Sequence, residues 1–201
     1  MKRFVILMLI ATALAACTES NIEEVQYCVK QGTPDHIDIS FDDENTRVQL
    51  NASGKTVWTE GDYVSAFYMT DANNKFRFNG KTGDRTGRFM VESQGDMTAY
   101  IDKVVLLYPY SSTYKLNPAT KSVNIKLPTT QYYMEGSYGV GANLMASVES
   151  GDNFTLKSLC GWIVVQLKGD ATVTSITLSG NNGEQLAGDA KFDYDAFKLD
   201  L

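Results

Sequence analysis

The sequence predicts an all-β protein, a β-sandwich built largely from antiparallel strands. From His36 onward, short alternating or continuous apolar runs are separated by turns rich in glycine, asparagine and aspartate. No long segment has the apolar spacing of a helix, and only 155–159 has plausible helical content, a single turn at most. Many short strands with frequent turns are typical of packed antiparallel sheets. We therefore expect one β-sandwich domain over residues 36–201.

The predicted strands follow one another with a turn between neighbours. Segment 36–41 alternates apolar and polar residues with period two, and segments 47–50 and 55–58 flank a hairpin-like loop. Gly180-Asn181-Asn182-Gly183 predicts a sharp turn, because glycine adopts positive φ at little cost. Further strands are expected at 63–69, 75–78, 87–91, 103–108, 122–127, 162–167, 172–178 and 191–194.

The last residues, 197–201, have the pattern of the middle of a strand. A chain that stopped there would leave an unpaired sheet edge. We therefore expect a domain that is truncated at its C-terminus or completed by other residues.

The N-terminus has the three parts of a secretory signal. Lys2 and Arg3 precede an almost wholly apolar run, 4–14, and Leu-Ala-Ala then leads to Cys17. The run is shorter than the roughly 20 residues of a membrane-spanning helix. Leu-Ala-Ala-Cys resembles the lipobox of bacterial lipoproteins, which implies that residues 1–16 are removed and that Cys17 carries the lipid. An ordinary signal with an incidental cysteine is the alternative.

Residues 17–35 are polar and predict a flexible acidic tether between lipid and domain. Acidic residues soon after a lipidated cysteine resemble the surface-export signal of Bacteroidota lipoproteins. The match is partial, because Glu19, Glu23 and Glu24 are scattered. A solvated linker without an export role is the alternative.

The charge balance argues against two kinds of binding, to nucleic acid and to anionic lipid. The formal net charge is −6, and it falls to −8 when the two positive charges and no negative ones of residues 1–16 are removed. An acidic surface repels phosphate backbones, which argues against nucleic-acid binding. It also gives no electrostatic attraction to anionic lipid, so membrane attachment is expected through the acyl chains alone.

The sequence offers little for catalysis. His36 is the one histidine, which excludes a histidine-rich zinc site and weakens any histidine-based triad. No C-x-x-C pair, G-x-S-x-G elbow or phosphate-binding loop occurs. The acidic run 42–45 lacks the spacing of a calcium loop and is interpreted as a charged turn. We expect no catalytic residue, no metal and no cofactor, and a protein that is not an enzyme.

Two cysteines remain besides Cys17. Cys28 and Cys160 could pair in an oxidising compartment. The alternative, which we favour, is a buried inert Cys160 and an exposed Cys28, because free cysteine behaves as a small hydrophobic residue. Connectivity does not follow from sequence alone.

Aromatic residues are plentiful, with 11 tyrosines, 9 phenylalanines and 2 tryptophans. Two tyrosine clusters lie around Tyr108 and Tyr110 and around Tyr132 and Tyr133. Exposed tyrosines would suit sugar stacking or a protein interface. The alternative is aromatic packing at the sandwich ends and under long loops.

Several short motifs, in this order and spacing, resemble the fimbrillin family of Bacteroidales lipoproteins, which are type V pilus subunits. They are Thr46-Arg47, Trp58-Thr59-Glu60-Gly61-Asp62, Tyr108-Pro109-Tyr110, Leu127-Pro128-Thr129-Thr130-Gln131, and the segments 159–169 and 175–183. The resemblance implies a transthyretin-like β-sandwich that is the first of two domains. We expect this chain to lack that second, C-terminal domain.

The resemblance also implies assembly by strand exchange. In the family, a protease cuts after an arginine, one strand is displaced, and a strand of the next subunit fills the groove through main-chain hydrogen bonds. Arg47 occupies the matching position here, and 37–41 is the strand that would be lost. An uncut anchor or tip subunit, with Arg47 merely exposed, is the alternative.

Taken with the signal, the resemblance implies a lipid-anchored protein of the outer membrane, on the cell surface or in a fimbrium. We expect a fimbrial subunit or adhesin-like component whose partners are other fimbrial subunits or host and bacterial surface ligands. The alternative is a surface glycan-binding lipoprotein that uses exposed tyrosines and Trp58 or Trp162.

Overall fold

The computed structural model describes residues 32–42, 49–50, 56–134, 139, 141–151, 153–161, 163 and 165–201. These residues form β-strands and turns, with no helix among them, so the all-β prediction is confirmed. The strands are β1 (His36–Phe41), β2 (Gln49–Leu50), β3 (Thr56–Val57), β4 (Tyr63–Thr70), β5 (Asn74–Phe78), β6 (Gly87–Ser93), β7 (Tyr100–Tyr108), β8 (Lys115–Asn117), β9 (Ser122–Leu127), β10 (Met145–Glu149), β11 (Asn153–Ser158), β12 (Gly188–Asp193) and β13 (Lys198–Asp200).

Seven strands form a closed sheet in the order β1-β11-β10-β7-β4-β5-β6. All neighbours in it are antiparallel except β1 and β11, which are parallel. A second, antiparallel sheet has the order β13-β12-β9-β8, and β2 pairs with β3. The prediction of largely antiparallel pairing is confirmed for the described strands, in which β1–β11 is the one parallel pair. The closure of the seven-stranded sheet was not predicted, because period-two alternation identifies a strand but not its partner.

A first hydrophobic core fills the closed sheet, and each of its seven strands contributes to it. Trp58, Phe76, Phe89 and Phe154 are completely or almost completely buried there. The rings of Trp58 and Phe89 lie 4.7 Å apart in an edge-to-face arrangement, a geometry favoured by aromatic pairs. Burial of these large rings supplies the main hydrophobic stabilisation of the closed sheet.

A second core lies between the outer face of the closed sheet and the second sheet. In β7, Val104 and Leu106 belong to the first core, whereas Val105 and Leu107 belong to the second. Because β7 is buried on both faces, its residues 104–107 are continuously apolar instead of alternating with polar residues. Strands β4 and β10 also contribute to both cores.

Most of the predicted strands are present with shifted ends, and three predictions are wrong. Segment 155–159 lies in strand β11 up to Ser158 and has no helical turn. Segment 172–178 and the described residues of 162–167 belong to no strand. Strands β8 and β10 were not predicted, because β8 has three residues and β10 follows a glycine-rich stretch without a clear alternating pattern. The turn at 180–183 is confirmed, with Gly183 at φ 81°.

Candidate interaction surfaces

Strand β1 closes the seven-stranded sheet, since it pairs with β11 on one side and β6 on the other. Ile37, Ile39 and Phe41 point into the first core and are buried. Their spacing of two is what a strand needs to present one face to the interior. Removal of β1 would therefore leave an open groove between two strands.

Polar contacts hold the other face of β1. The Arg88 guanidinium donates to both carboxylate oxygens of Asp38, at 2.9 and 3.0 Å. These hydrogen bonds lower the pKa of Asp38. The Ser40 hydroxyl lies 3.2 Å from both the Phe154 carbonyl oxygen and Thr155 Oγ1. The Arg88–Asp38 ion pair is largely exposed and contributes little. Strand β1 is therefore held in the sheet mainly by its buried side chains and by its backbone hydrogen bonds to β11 and β6.

The Trp58–Asp62 motif is a turn that joins the first core to β4. Asp62 Oδ2 accepts a 2.7 Å hydrogen bond from the Thr59 amide, and the Asp62 amide donates to the Thr59 carbonyl at 3.0 Å. Gly61 adopts φ 91°, a left-handed conformation that explains the glycine. Desolvation raises the pKa of the Asp62 carboxyl. The motif thus has a structural role.

The structure separates the four tyrosines that we predicted as contact residues. Tyr108 packs edge-to-face on Trp58, with ring centroids 5.7 Å apart, and its hydroxyl donates to Asp62 Oδ1 at 3.0 Å. Burial, together with the nearby Asp62 carboxylate, raises the pKa of Tyr108 strongly. Tyr108 is therefore engaged inside the fold rather than presented to a ligand. Trp58 is fully buried as well, which removes it from the glycan-stacking alternative.

Tyr110 is half-buried and belongs to a small surface cluster. Lys75 Nζ lies 3.8 Å from the centre of the Tyr63 ring and 5.4 Å from that of Tyr110, and it forms a 2.6 Å ion pair with Glu92. The hydrogen bond to Glu92 raises the pKa of Lys75. The lysine is thus occupied by groups of its own chain.

Tyr132 and Tyr133 both face solvent. Their exposed fractions are 81% and 90%, and they follow β9 in the connection toward β10. Two adjacent exposed aromatic rings offer a large contact area at low entropic cost. Among the four predicted contact tyrosines, this pair has the accessibility that a ligand needs.

Seven exposed large apolar side chains lie among the described residues of the long connection between β11 and β12. Large apolar side chains there are 47–69% exposed, at Ile163, Val165, Leu167, Val173, Ile176, Leu178 and Leu186. Contiguous exposed apolar residues mark interaction sites in folded proteins. Most of them lie in the segments 162–167 and 172–178, for which we predicted strands, because composition and alternation do not reveal whether a partner strand exists. Extended connections longer than about 12–15 residues are themselves unusual in compact domains.

The remaining predicted sites are placed as follows. Cys17, Cys28, Arg47 and Trp162 lie outside the described residues. Cys160 is a free thiol that packs at the edge of the second core, and burial raises its pKa. His36 is exposed at the start of β1.

Within the described ranges, no group of three histidine, cysteine, aspartate or glutamate residues is placed to hold a metal ion. The same residues include no helix long and apolar enough to cross a membrane. The chain matches no protein-family model, and searches of curated proteins and of solved structures found no similar protein. The interaction surfaces therefore carry the functional argument by themselves.

Proposed function

We propose that this protein is a lipid-anchored cell-surface protein of the outer membrane, a fimbrial subunit or adhesin-like component that acts through protein contacts. Its fold would be a transthyretin-like variant of the all-β architecture. The observation that carries the proposal is the position of β1, the first described strand, which completes a closed sheet from both sides. The segment that leads from β1 to β2 includes Arg47.

Cleavage after Arg47 would free β1 from the rest of the chain. Its loss would uncover the apolar side chains that now surround Ile37, Ile39 and Phe41 in the first core. A strand from another subunit could fill that groove through main-chain hydrogen bonds, with alternate side chains setting the register. A suitable donor needs apolar residues at i, i+2 and i+4.

This chain contains such a pattern on its surface. Ile163, Val165 and Leu167 have the same spacing as Ile37, Ile39 and Phe41, and they are 69%, 47% and 57% exposed. The match in spacing and apolar character supports assembly through strand addition. This assembly would require no enzyme activity of the chain itself and no cofactor.

Attachment is tested by metabolic labelling with a palmitate analogue in the producing bacterium. The wild-type chain should carry the label, and the Cys17→Ser variant should not. A mature wild-type protein without label would contradict lipid anchoring.

Processing is tested by N-terminal sequencing of protein sheared from the cell surface. A chain that begins directly after Arg47, and heat- and detergent-resistant ladders on gels, are the expected results. The Arg47→Ala variant should lose both. Sheared protein that begins only at Cys17 would contradict strand displacement and favour an uncut anchor or tip subunit.

Glycan binding is the second candidate function, favoured by the exposed pair Tyr132 and Tyr133. Aromatic rings of this accessibility can stack on sugar rings. Tight binding on a polysaccharide panel that is lost in the Tyr132→Ala, Tyr133→Ala double variant would support it. A Tyr100→Ala variant is a matched control, because Tyr100 is 60% exposed on β7.

A further inference from the structure

The connection between β11 and β12 contains a second strand-forming segment, Thr172-Val-Thr-Ser-Ile-Thr-Leu178. All seven residues are exposed, and the segment pairs with no strand of the described chain. Val173, Ile176 and Leu178 are 52%, 54% and 57% exposed. Burial of these side chains would require a surface from outside the described domain.

The composition of this segment favours a strand more than a loop. Valine, isoleucine and threonine are enriched in strands because their branched side chains pack well on a pleated surface. The segment contains no proline and no glycine. Exposed strands are usually protected from pairing by charges, prolines or bulges, and 172–178 has neither charge nor proline.

The charge distribution favours a second copy of this chain as the partner. Residues 171–183 carry no charged side chain, whereas the chain as a whole has a formal net charge of −6. Two copies of an acidic protein repel each other wherever acidic surfaces meet. An uncharged strip is therefore the place at which two copies approach at the lowest electrostatic cost.

We propose that 172–178 pairs antiparallel with the same segment of a second copy. A pair centred on Ser175 places Thr172 opposite Leu178, Val173 opposite Thr177 and Thr174 opposite Ile176. Each of these pairs includes a threonine, and branched residues opposite one another stabilise antiparallel strands. The pairing is isologous, so it joins two copies and then stops.

The pairing goes beyond the proposed function, because it requires neither cleavage at Arg47 nor exchange of β1. Two short strands bury less surface than the roughly 1,200 Å² of a stable interface. The free dimer is therefore weak. Tethering of both copies to one membrane raises their effective concentration and compensates for the small area.

The test is disulfide trapping in the full-length lipoprotein in its own membrane. Residues that face each other across an antiparallel pair have Cα atoms about 4.5–5.5 Å apart, within the range that a disulfide spans. Ser175→Cys faces its own copy in the proposed register, and mild oxidation should therefore link it. Ser179→Cys is the matched control, since Ser179 is also exposed. In the same register the two copies of residue 179 lie about 26 Å apart, which no disulfide spans.

We expect about tenfold more 175–175 linked dimer from Ser175→Cys than 179–179 linked dimer from Ser179→Cys. Peptide mass spectrometry separates these bonds from bonds to Cys28 or Cys160. Adding Ile176→Lys to Ser175→Cys should reduce the excess, because the two new lysines, one in each copy, would lie diagonally across the strand pair and repel each other. A mixture of Thr172→Cys and Leu178→Cys chains should link across copies.

Equal yields from the two serine variants would overturn the proposal. A dimer linked at other positions would also overturn it and would indicate a different register or a different partner. Palmitate labelling and cleavage at Arg47 are measured separately. Failure of the self-pairing therefore leaves the proposed function standing. The self-pairing rests on the lipid anchoring of the proposed function but not on cleavage at Arg47, so a failed cleavage leaves it intact.

Discussion

The hydrogen bond between Tyr108 and Asp62 gives the sharpest test of how the first core is joined to its turn. The Tyr108→Phe variant removes a 3.0 Å bond to a carboxylate. Hydrogen bonds to charged groups contribute about 1.5–3 kcal/mol, and partial access of Asp62 to water reduces the expected loss to about 1–2 kcal/mol. Asp62→Ala leaves both the Thr59 amide and the Tyr108 hydroxyl without their acceptor and should cost about 2–4 kcal/mol.

Asp62→Asn is the matched control. Its amide oxygen can accept from the Thr59 amide, and its NH2 group can donate to the Tyr108 oxygen, so the loss should stay below about 1 kcal/mol. The pH dependence has a definite sign. The pKa of Asp62 is raised by desolvation above 3.8, so its stabilisation is present at low pH and is lost as the pH rises through the raised value. Asp62→Asn should therefore gain stability relative to wild type as the pH rises from 4 to 7.

Urea unfolding followed by tryptophan fluorescence measures these free energies, since the Trp58 ring lies 5.7 Å from that of Tyr108. A double-mutant cycle with Tyr108→Phe and Asp62→Ala should give a coupling energy of about 1–2 kcal/mol. A coupling energy near zero, or a relative stability of Asp62→Asn that falls with rising pH, would refute the reasoning.

Three further predictions concern the cores. Gly87→Ala should lower the free energy of unfolding in urea by about 1–3 kcal/mol, because the new Cβ would lie 2.6 Å from the buried Phe78 ring. Gly151→Ala is the control and should be close to neutral, because its new Cβ meets nothing within 4 Å. Phe89→Ala should cost about 3–5 kcal/mol in thermal or urea unfolding, because Phe89 is fully buried, and a loss as small as that of Tyr100→Ala would contradict the assigned core. The Cys160 thiol should react with iodoacetamide more slowly than free cysteine at pH 8, because burial raises the pKa of this thiol. Its reaction rate should still rise above pH 9. A rate equal to that of free cysteine would place the thiol outside the second core.

The strand predictions succeeded where alternation and local turn chemistry were sufficient. The predicted segment 36–41 became β1 because its period-two apolar residues require one buried face. The turn at 180–183 formed because Gly183 tolerates positive φ. For segment 155–159 we expected at most one helical turn, because five residues are too few to distinguish the helical period of 3.6 from the strand period of two.

The candidate surfaces were less predictable. Tyr108 and Tyr132 are equivalent as tyrosines in short aromatic clusters, yet one packs on Trp58 and the other is 81% exposed. Whether an aromatic ring faces a core or solvent depends on which strands surround it, and residues distant in sequence supply those strands. The same limit applies to 172–178, whose strand propensity is clear from its residues but whose partner is not.

By itself, the sequence determined the acidic charge, the β class and the positions of most strands, and it supplied the prediction that Cys17 carries a lipid. These properties follow from composition, spacing and local backbone preference, which act over a few residues. Only the tertiary structure decided that β1 closes a sheet between β6 and β11 and that the Tyr108 hydroxyl donates a hydrogen bond to Asp62. It also decided that the apolar side chains Ile163, Val165, Val173 and Ile176 are exposed. Strand pairing and burial depend on contacts between residues far apart in the chain, and no local pattern encodes them.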